Sequence, residues 1–404
     1  MKIVILTSTF PKNSLDNVPR FIETQIINLK NNFPNLEFYV LAPENTDNHQ
    51  VLNTKYYKQI RYRYFWPKYF QKLTNNGILN QIKKNRLYYL LIPFFIAGQF
   101  LALSRLVKLE KVDLIYAHWF FPQAVIAYMV SKIYNIQFSF TSHSSDLIIV
   151  DKKIPFFGKL IIRKVCKSAK SISTPSNKIM SLIKNYFTPE EFKRINHYVI
   201  PMGINSKDIV LSKEVIKDKN NFTILFLGRF SQKKGVDMLI ESIAYLNEKN
   251  SAKKIKLKLA GDGEEKENYN QQIQNLNLGN FVEFVGYVNE DMKYNLIQKS
   301  DLLVVPSVES NFGDIEGMPV VILEGLYCKT PVLASEYTNA TEIITDSFNG
   351  FIIKDLNPSK LATKIFQIIN FDKDSLQSLV TNGFETVEQF SSEKNSQNFY
   401  KFLI

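Results

Sequence analysis

The strongest constraint on this chain is an alternation that runs through it twice. Short, largely apolar runs are separated by longer stretches with the three-to-four-residue apolar spacing of helices. In the front half the runs are 2–7, 37–42, 112–117, 137–141 and 171–174, with helical stretches near 20–31, 87–110, 123–134 and 156–169. The rhythm restarts at Asn221, with runs at 222–228, 255–260, 282–285, 302–306 and 331–334 and helical stretches near 236–249, 266–276, 291–299 and 319–328. A strand that is apolar on both faces belongs in a parallel sheet covered on both sides by helices. The expectation is therefore α/β: two doubly wound, Rossmann-like domains in tandem, with ligands at the carboxyl edges of the strands.

The joint falls between Gly203 and the polar stretch 205–221, which sets domains at 1–203 and 204–385. Two helical patterns close the chain, near 373–389 and 393–403. The last carries Phe399, Phe402 and Leu403 on one face, so 386–404 is expected to return and pack on the first domain. The segment 44–77 is rich in Tyr, Lys and Arg without a clear period, and reads as an insertion. The run 87–103 is the only membrane-like one. It is just short of spanning length, contains Pro93, Gly98 and Gln99, and would leave the strands before and after it on opposite sides of a bilayer. It reads as a core helix, or one partly laid on a membrane. Met1-Lys2 followed by four apolar residues is too short for a secretory leader and reads as a first strand.

Charge is unevenly shared. Residues 1–203 carry 28 Lys+Arg against 11 Asp+Glu, whereas the whole chain has 50 against 38, a net +12. The front half is thus a basic body suited to nucleic acid, an anionic lipid surface or a phosphorylated substrate. No RNA- or DNA-binding motif accompanies it, which argues against nucleic acid. Cys166 and Cys328 lie far apart and suit a reducing compartment, and no zinc spacing exists.

Two motifs carry the chemistry. Leu227-Gly228-Arg229-Phe230-Ser231-Gln232-Lys233-Lys234-Gly235 follows a strand and precedes a helix. Gly228 lets the backbone turn at the strand edge, Arg229 offers a planar fork, Lys234 a mobile point charge, and the helix its N-terminal dipole; together these suit a diphosphate. The second motif is Glu316-Gly317-Met318-Pro319-Val320-Val321-Ile322-Leu323-Glu324. Pro319 fits the first helical turn, Glu316 sits before it, and Glu324 stands in an otherwise apolar run, where an acid needs a partner or a function. Asp372-Lys373-Asp374 has the form of a metal-binding pair but reads as a helix start.

These motifs occur in order with Ala260-Gly261-Asp262-Gly263, Phe284-Val285-Gly286-Tyr287 and Pro306-Ser307. Over about 130 residues the series resembles the C-terminal domain of glycosyltransferase family 4, in its bacterial exopolysaccharide and lipopolysaccharide branch. The resemblance implies the two-domain GT-B fold and retaining sugar transfer. Arg229 and Lys234, beside Gly228, would hold the diphosphate of a nucleotide sugar. Glu324 would take the ribose hydroxyls, Glu316 the hydroxyls of the transferred sugar, and Tyr287-Val288 the base. The backbone of Gly317, Met318, Pro319 and Val320 would lie close to the donor. In the front half, Tyr116-Ala117-His118-Trp119-Phe120-Phe121-Pro122 is similar to the family's His-x-His-x-x-x-Pro stretch with Tyr116 for its first His, and Ser142-His143-Ser144-Ser145-Asp146 to His-Gly-Ser-Asp. His118 and His143 would face the sugar. The loop after the first strand departs from the family, having no glycine among residues 7–19.

The implied partners are a nucleotide-sugar donor, a lipid-linked glycan acceptor and an anionic membrane surface, with no cofactor and no metal. The implied place is the cytoplasm, peripherally on the inner face of the cell membrane. A sugar-nucleotide epimerase of the same fold and a non-catalytic partner subunit of a transferase are the alternatives.

Overall fold

The computed structural model describes residues 1–404 except 13–17, 19, 45–53, 75–77, 79–80, 83–84, 144–145, 155–156, 205–208, 210, 213–214, 219, 249–253 and 310–315. It divides into two compact units, Met1–Ile200 with Glu393–Ile404, and Pro201–Ser392.

The first unit is built on seven parallel strands: β1 (Lys2–Leu6), β2 (Glu37–Pro43), β3 (Tyr57–Tyr62), β4 (Leu114–His118), β5 (Gln137–Thr141), β6 (Ser171–Thr174) and β7 (His197–Val199). Their order is β3-β2-β1-β4-β5-β6-β7. The order reverses between β1 and β4, and such a switch point opens a crevice at the carboxyl ends of the two strands. Every residue of β4 is buried, as a central strand covered on both faces requires.

β3 corrects the reading of 44–77 as an insertion: the segment supplies the edge strand of the sheet. Its period is obscured because two of its polar side chains hold the first loop. Gln59, fully buried, donates to the Pro11 carbonyl at 3.1 Å, and Arg61 donates to the carbonyls of Phe10 (2.7 Å) and Pro11 (3.0 Å). Most of the glycine-free stretch 13–19 lies outside the described residues.

Among the described residues one helical segment, Arg86–Glu110, is long and apolar enough to cross a membrane. It does not do so here. β3 and β4, which flank it in sequence, belong to the same sheet, and Phe95, Gln99, Leu103, Leu106 and Val107 are buried in the unit. The segment opens with the 3₁₀ turn Arg86–Leu91 and continues as the helix Ile92–Glu110.

The second unit repeats the plan with β8 (Asn221–Leu227), β9 (Lys254–Ala260), β10 (Val282–Gly286), β11 (Leu302–Val305), β12 (Val332–Ser335) and β13 (Phe351–Ile353), in the order β10-β9-β8-β11-β12-β13. All neighbours are parallel, and the switch point lies between β8 and β11. Side-chain alternation sends Ile224 and Phe226 into one core layer and Leu225 into the other. Asp372 accepts from the Ser375 amide and caps the helix Lys373–Val387, as a helix start should.

The changeover back to the first unit falls at Glu393 rather than at 386. Val387 is buried in the second core and Ser391 bridges to Ile204, so those residues stay behind. The helix Ser392–Leu403 then docks through Phe399, Phe402 and Leu403, all fully buried. Ser171 Oγ donates to the Phe402 carbonyl at 2.6 Å, Lys170 Nζ donates to the Leu403 carbonyl at 3.0 Å, and the Tyr400 ring stacks on Phe33.

Candidate active site

In the second unit the switch-point loops are bound to one another. The loop after β8 passes through the 3₁₀ turn Gln232–Lys234 and leaves it at Gly235, whose φ is +63°. A Cβ there would lie 2.0 Å from the Pro306 carbonyl oxygen at the end of β11. Gly261, after β9, has φ +142° and stands equally close to the Gly228 carbonyl, 1.9 Å from where its Cβ would be. Both positions admit only glycine. The contact is sealed by Val308, whose amide donates to the Lys233 carbonyl at 2.9 Å.

This packing brings Lys234 to Glu316, Nζ to Oε1 at 3.1 Å, with Lys233 at 3.6 Å from the same oxygen. Burial opposes ionisation of Glu316, but the two ammoniums outweigh it and bring its carboxyl down to about 2. Asn339 Nδ2 holds this loop from behind, donating to the Glu316 and Gly317 carbonyls at 2.6 and 2.8 Å. Met318 is buried in the core, and Pro319 is the N-cap of the helix Val320–Tyr327, one position earlier than the expected first turn. Pro319 supplies no side-chain cap, and the helix, with its positive dipole end, begins four residues after Glu316.

Glu324, in the same helix, is buried and receives Lys293 Nζ at 2.6 Å. Burial pushes its carboxyl up, and Lys293, held charged by Glu324 and Glu290, supplies the compensating charge. This answers the question posed by an acid in an apolar run. Arg229 pairs with a different carboxylate. Its Nε and Nη2 donate to Glu264 Oε2 at 3.2 and 2.9 Å. Tyr287 is exposed and Val288 half-buried just after β10, next to Gly286. Of the donor-site residues expected from sequence, Lys234 and Glu316 are brought into a direct ion pair, whereas Arg229 and Glu324 take other partners. Sequence reading missed Lys233, Lys293 and Asn339. Nothing local marks Lys293 or Asn339, whose partners lie 31 and 22 to 23 residues away.

In the first unit, His118 ends β4 at the switch point and His143 follows β5. Their rings stack at 9° with centroids 5.1 Å apart, and His118 Nδ1 lies 2.9 Å from His143 Nε2. Phe21 packs edge-on to His143 at 5.1 Å. Trp119, next in sequence, has φ +74°, a strained conformation for a non-glycine residue, of the sort that gathers at functional turns. Asp146 secures both segments, accepting from the Phe120 amide at 2.5 Å and from the Ser142 hydroxyl. Tyr116 points to the same face as His118 and is tied to Thr141 Oγ1 at 2.7 Å and Gln25 Nε2 at 3.3 Å. Ser144 and Ser145 lie outside the described residues.

Burial lowers both imidazoles, His143 to about 3 and His118 well below its ordinary value, where repulsion between the two rings, were both charged, adds to the effect of burial. Both are therefore uncharged at neutral pH. The unfolded chain binds a proton near pH 6.5 that folded His143 refuses until about 3, so stability falls as the pH drops through this window. For His143 alone the loss at pH 5 is about 2 kcal/mol. The urea midpoint of wild type should therefore fall from pH 7 to pH 5 by more than that of His143→Gln. Equal falls would place the histidine outside this account.

The family model for glycosyl transferases group 1 matches residues 209–386. An uncharacterized glycosyltransferase of Methanocaldococcus jannaschii is 30% identical over 295 residues, covering 72% of this chain and 75% of the relative. A Campylobacter jejuni enzyme, GalNAc-alpha-(1->4)-GalNAc-alpha-(1->3)-diNAcBac-PP-undecaprenol alpha-1,4-N-acetyl-D-galactosaminyltransferase, is 26% identical over 340 residues, covering 83% and 86%. Among solved structures, sucrose-phosphate synthase from Thermosynechococcus elongatus superposes with a TM-score of 0.77 at 17% identity, covering 99% of this chain and 97% of that one. HepE of Anabaena, solved with UDP-glucose, gives 0.70 at 18% identity, covering 99% and 98%. The two parallel-sheet domains are those of the GT-B fold.

Proposed function

The chain belongs to the group 1 glycosyl transferases, and on that premise we propose that it moves a sugar from a nucleotide-diphosphate sugar to a hydroxyl of a lipid-linked glycan, with retention and without a metal. The observation that carries this reading is the Lys234–Glu316 ion pair at the β8/β11 switch point, beside the start of the helix Val320–Tyr327. Two lysines and a helix N-terminus form a positive seat for a diphosphate, and a buried carboxylate within it accepts hydrogen bonds from sugar hydroxyls.

In this proposal Arg229 leaves Glu264 to clasp the diphosphate with Lys234, and Gly228 gives the backbone room to turn. Glu316 holds the transferred sugar. Glu324, oriented by Lys293, takes the ribose hydroxyls, and the backbone at Tyr287-Val288 meets the base. Gly317, Met318, Pro319 and Val320 set the floor of the site. The bond from the anomeric carbon to the diphosphate oxygen breaks while the acceptor oxygen bonds to that carbon from the same side, and the departing diphosphate takes the acceptor proton. Charge growing on the diphosphate is met by Lys234, Arg229 and the helix dipole, each such group contributing roughly 2–4 kcal/mol in the transition state. His118 and His143, both neutral, would face the sugar as hydrogen-bonding groups rather than as cations. A lipid-linked acceptor is supported by the Campylobacter relative, whose name carries a PP-undecaprenol acceptor, and by the basic first unit. It implies work at the inner face of the cell membrane. The epimerase and partner-subunit readings gain no support from the relatives.

The test is a melting-temperature panel with UDP, GDP, ADP and their sugars, with and without EDTA. One nucleotide at a hundred times its dissociation constant should add ~2.7 kcal/mol, roughly 5–10 °C for a unit of this size, and EDTA should leave both shift and transfer intact. A panel with no shift, or a shift abolished by EDTA, would overturn the corresponding part of the proposal.

A further inference from the structure

The first unit carries an apolar surface that its own fold leaves uncovered. Two segments far apart in sequence build it. Trp66, Tyr69 and Phe70 come from the turn after β3, and Leu87, Leu90 and Phe94 from the 3₁₀ turn Arg86–Leu91 and the helix that follows. Half-buried Phe65 joins them, packing edge-on against Phe70 and, 5.0 Å away, against Phe94. Trp66 is 78% exposed and Leu90 69%, values far above those of an aromatic or leucine serving a core. The exposed line continues along the helix through Ala97 and Leu101 and then becomes basic at Arg105 and Lys108. Large contiguous patches of this kind mark docking sites.

Charge selects the occupant. Between Asn48 and Leu109 the sequence has eleven Lys and Arg and no Asp or Glu. Glu44, just after β2, is buried against Arg63 and Lys68. Exposed Trp, Tyr, Phe and Leu side chains on a segment whose only charged residues are basic match what a bilayer interface takes up: apolar and aromatic groups into the hydrocarbon and headgroup layers, cations against the anionic surface. A protein partner would have to be both apolar and strongly acidic, and a second copy of this chain would bring like charge against like.

We propose that the face made by Trp66, Tyr69, Phe70, Leu87, Leu90 and Phe94 docks on an anionic lipid bilayer, with these side chains entering its interface. This inference rests on the lipid-linked acceptor reading for its purpose, but not for its test.

The experiment uses the full chain and phosphatidylcholine vesicles with and without phosphatidylglycerol, no sugar or acceptor being present. Wild type should co-sediment with the anionic vesicles, lose that binding at high salt, and bind neutral vesicles more weakly. Trp66→Ser/Leu90→Ser/Phe94→Ser should bind at least about tenfold more weakly, with unchanged melting temperature and an unchanged nucleotide shift. Arg86→Glu/Arg105→Glu should weaken anionic binding alone. Brominated lipid should quench tryptophan emission in wild type and not in Trp66→Phe. Equal binding by wild type and the triple variant, or a solution dimer that the triple variant dissociates, would overturn the proposal. The transferase reading would fail separately, by loss of the nucleotide shift while vesicle binding persists.

Discussion

Lys234→Ala is expected to lower kcat by roughly 10²–10³-fold, the loss that follows removal of one preorganised group stabilising transition-state charge. Lys234 has two jobs, and both are lost. It is the nearer cation to Glu316, at 3.1 Å against 3.6 Å for Lys233, and in the proposal it also meets the departing diphosphate. With only Lys233 left, burial regains ground on the Glu316 carboxyl, which then rises from about 2. That adds a pH signature. In wild type the ion pair stabilises the fold at every pH above about 4.5 and is lost as the pH falls towards 2. In the variant the loss should begin at higher pH. Lys233→Ala should show a smaller change of the same kind, and Lys234→Arg should recover part of the rate by restoring charge. Turnover and acid unfolding measured on the three variants decide the matter, and near-normal kcat in Lys234→Ala would remove the diphosphate seat from this loop.

Gly235→Ala is expected to be among the most disruptive single-methyl changes in the second unit. The added carbon would stand 2.0 Å from the Pro306 carbonyl oxygen, and φ +63° is unfavourable for alanine in any case. The backbone must open, which parts the β8 loop from the end of β11 and breaks the bond from Val308 to Lys233. A cost of about 3 kcal/mol is the expected order for strain combined with a lost buried contact. In a unit of this size that is roughly 6–12 °C of melting temperature. Because the same opening moves Lys234 from Glu316, nucleotide affinity should fall together with stability. Gly279→Ala is the control, since a Cβ there meets nothing within 4 Å. A Gly235→Ala protein that melts and binds like wild type would show that the switch-point packing is looser than drawn.

The sheets were legible because central parallel strands must be apolar on both faces. Gln137–Thr141 and Ser171–Thr174 fall on the residues expected, and the other expected strands differ by a residue or two at an end. Elements at the margins were harder. β3 hides its period because Gln59 and Arg61 face inward to hold Phe10 and Pro11. β7 and β13 are three residues each, too short to show a period. The helix Pro358–Ile369 has a clear apolar face and an Asn357 cap, and was open to sequence reading. Site residues within the two motifs were found because glycine, proline and charge at strand ends are conspicuous. Lys293 and Asn339 were not, because each is one polar residue on an ordinary segment whose partner is set by the fold. Asp146 lay within a quoted segment, but its role as the clasp between the β4 and β5 loops needed their positions.

The alternation of central strands and helices, the joint between two α/β units, the basic first half and the chemical types at the strand ends were all legible in the chain itself, since each depends on local period, composition or spacing. Tertiary structure decided which charges meet: Lys234 with Glu316, Lys293 with Glu324, Arg229 with Glu264, and the two buried imidazoles with one another. It also decided that residues 65–70 and 87–94 form one uncovered face. The reason is range: apolar period acts between neighbours along the chain, whereas an ion pair or a surface patch exists only where packing closes distances that sequence separation leaves open.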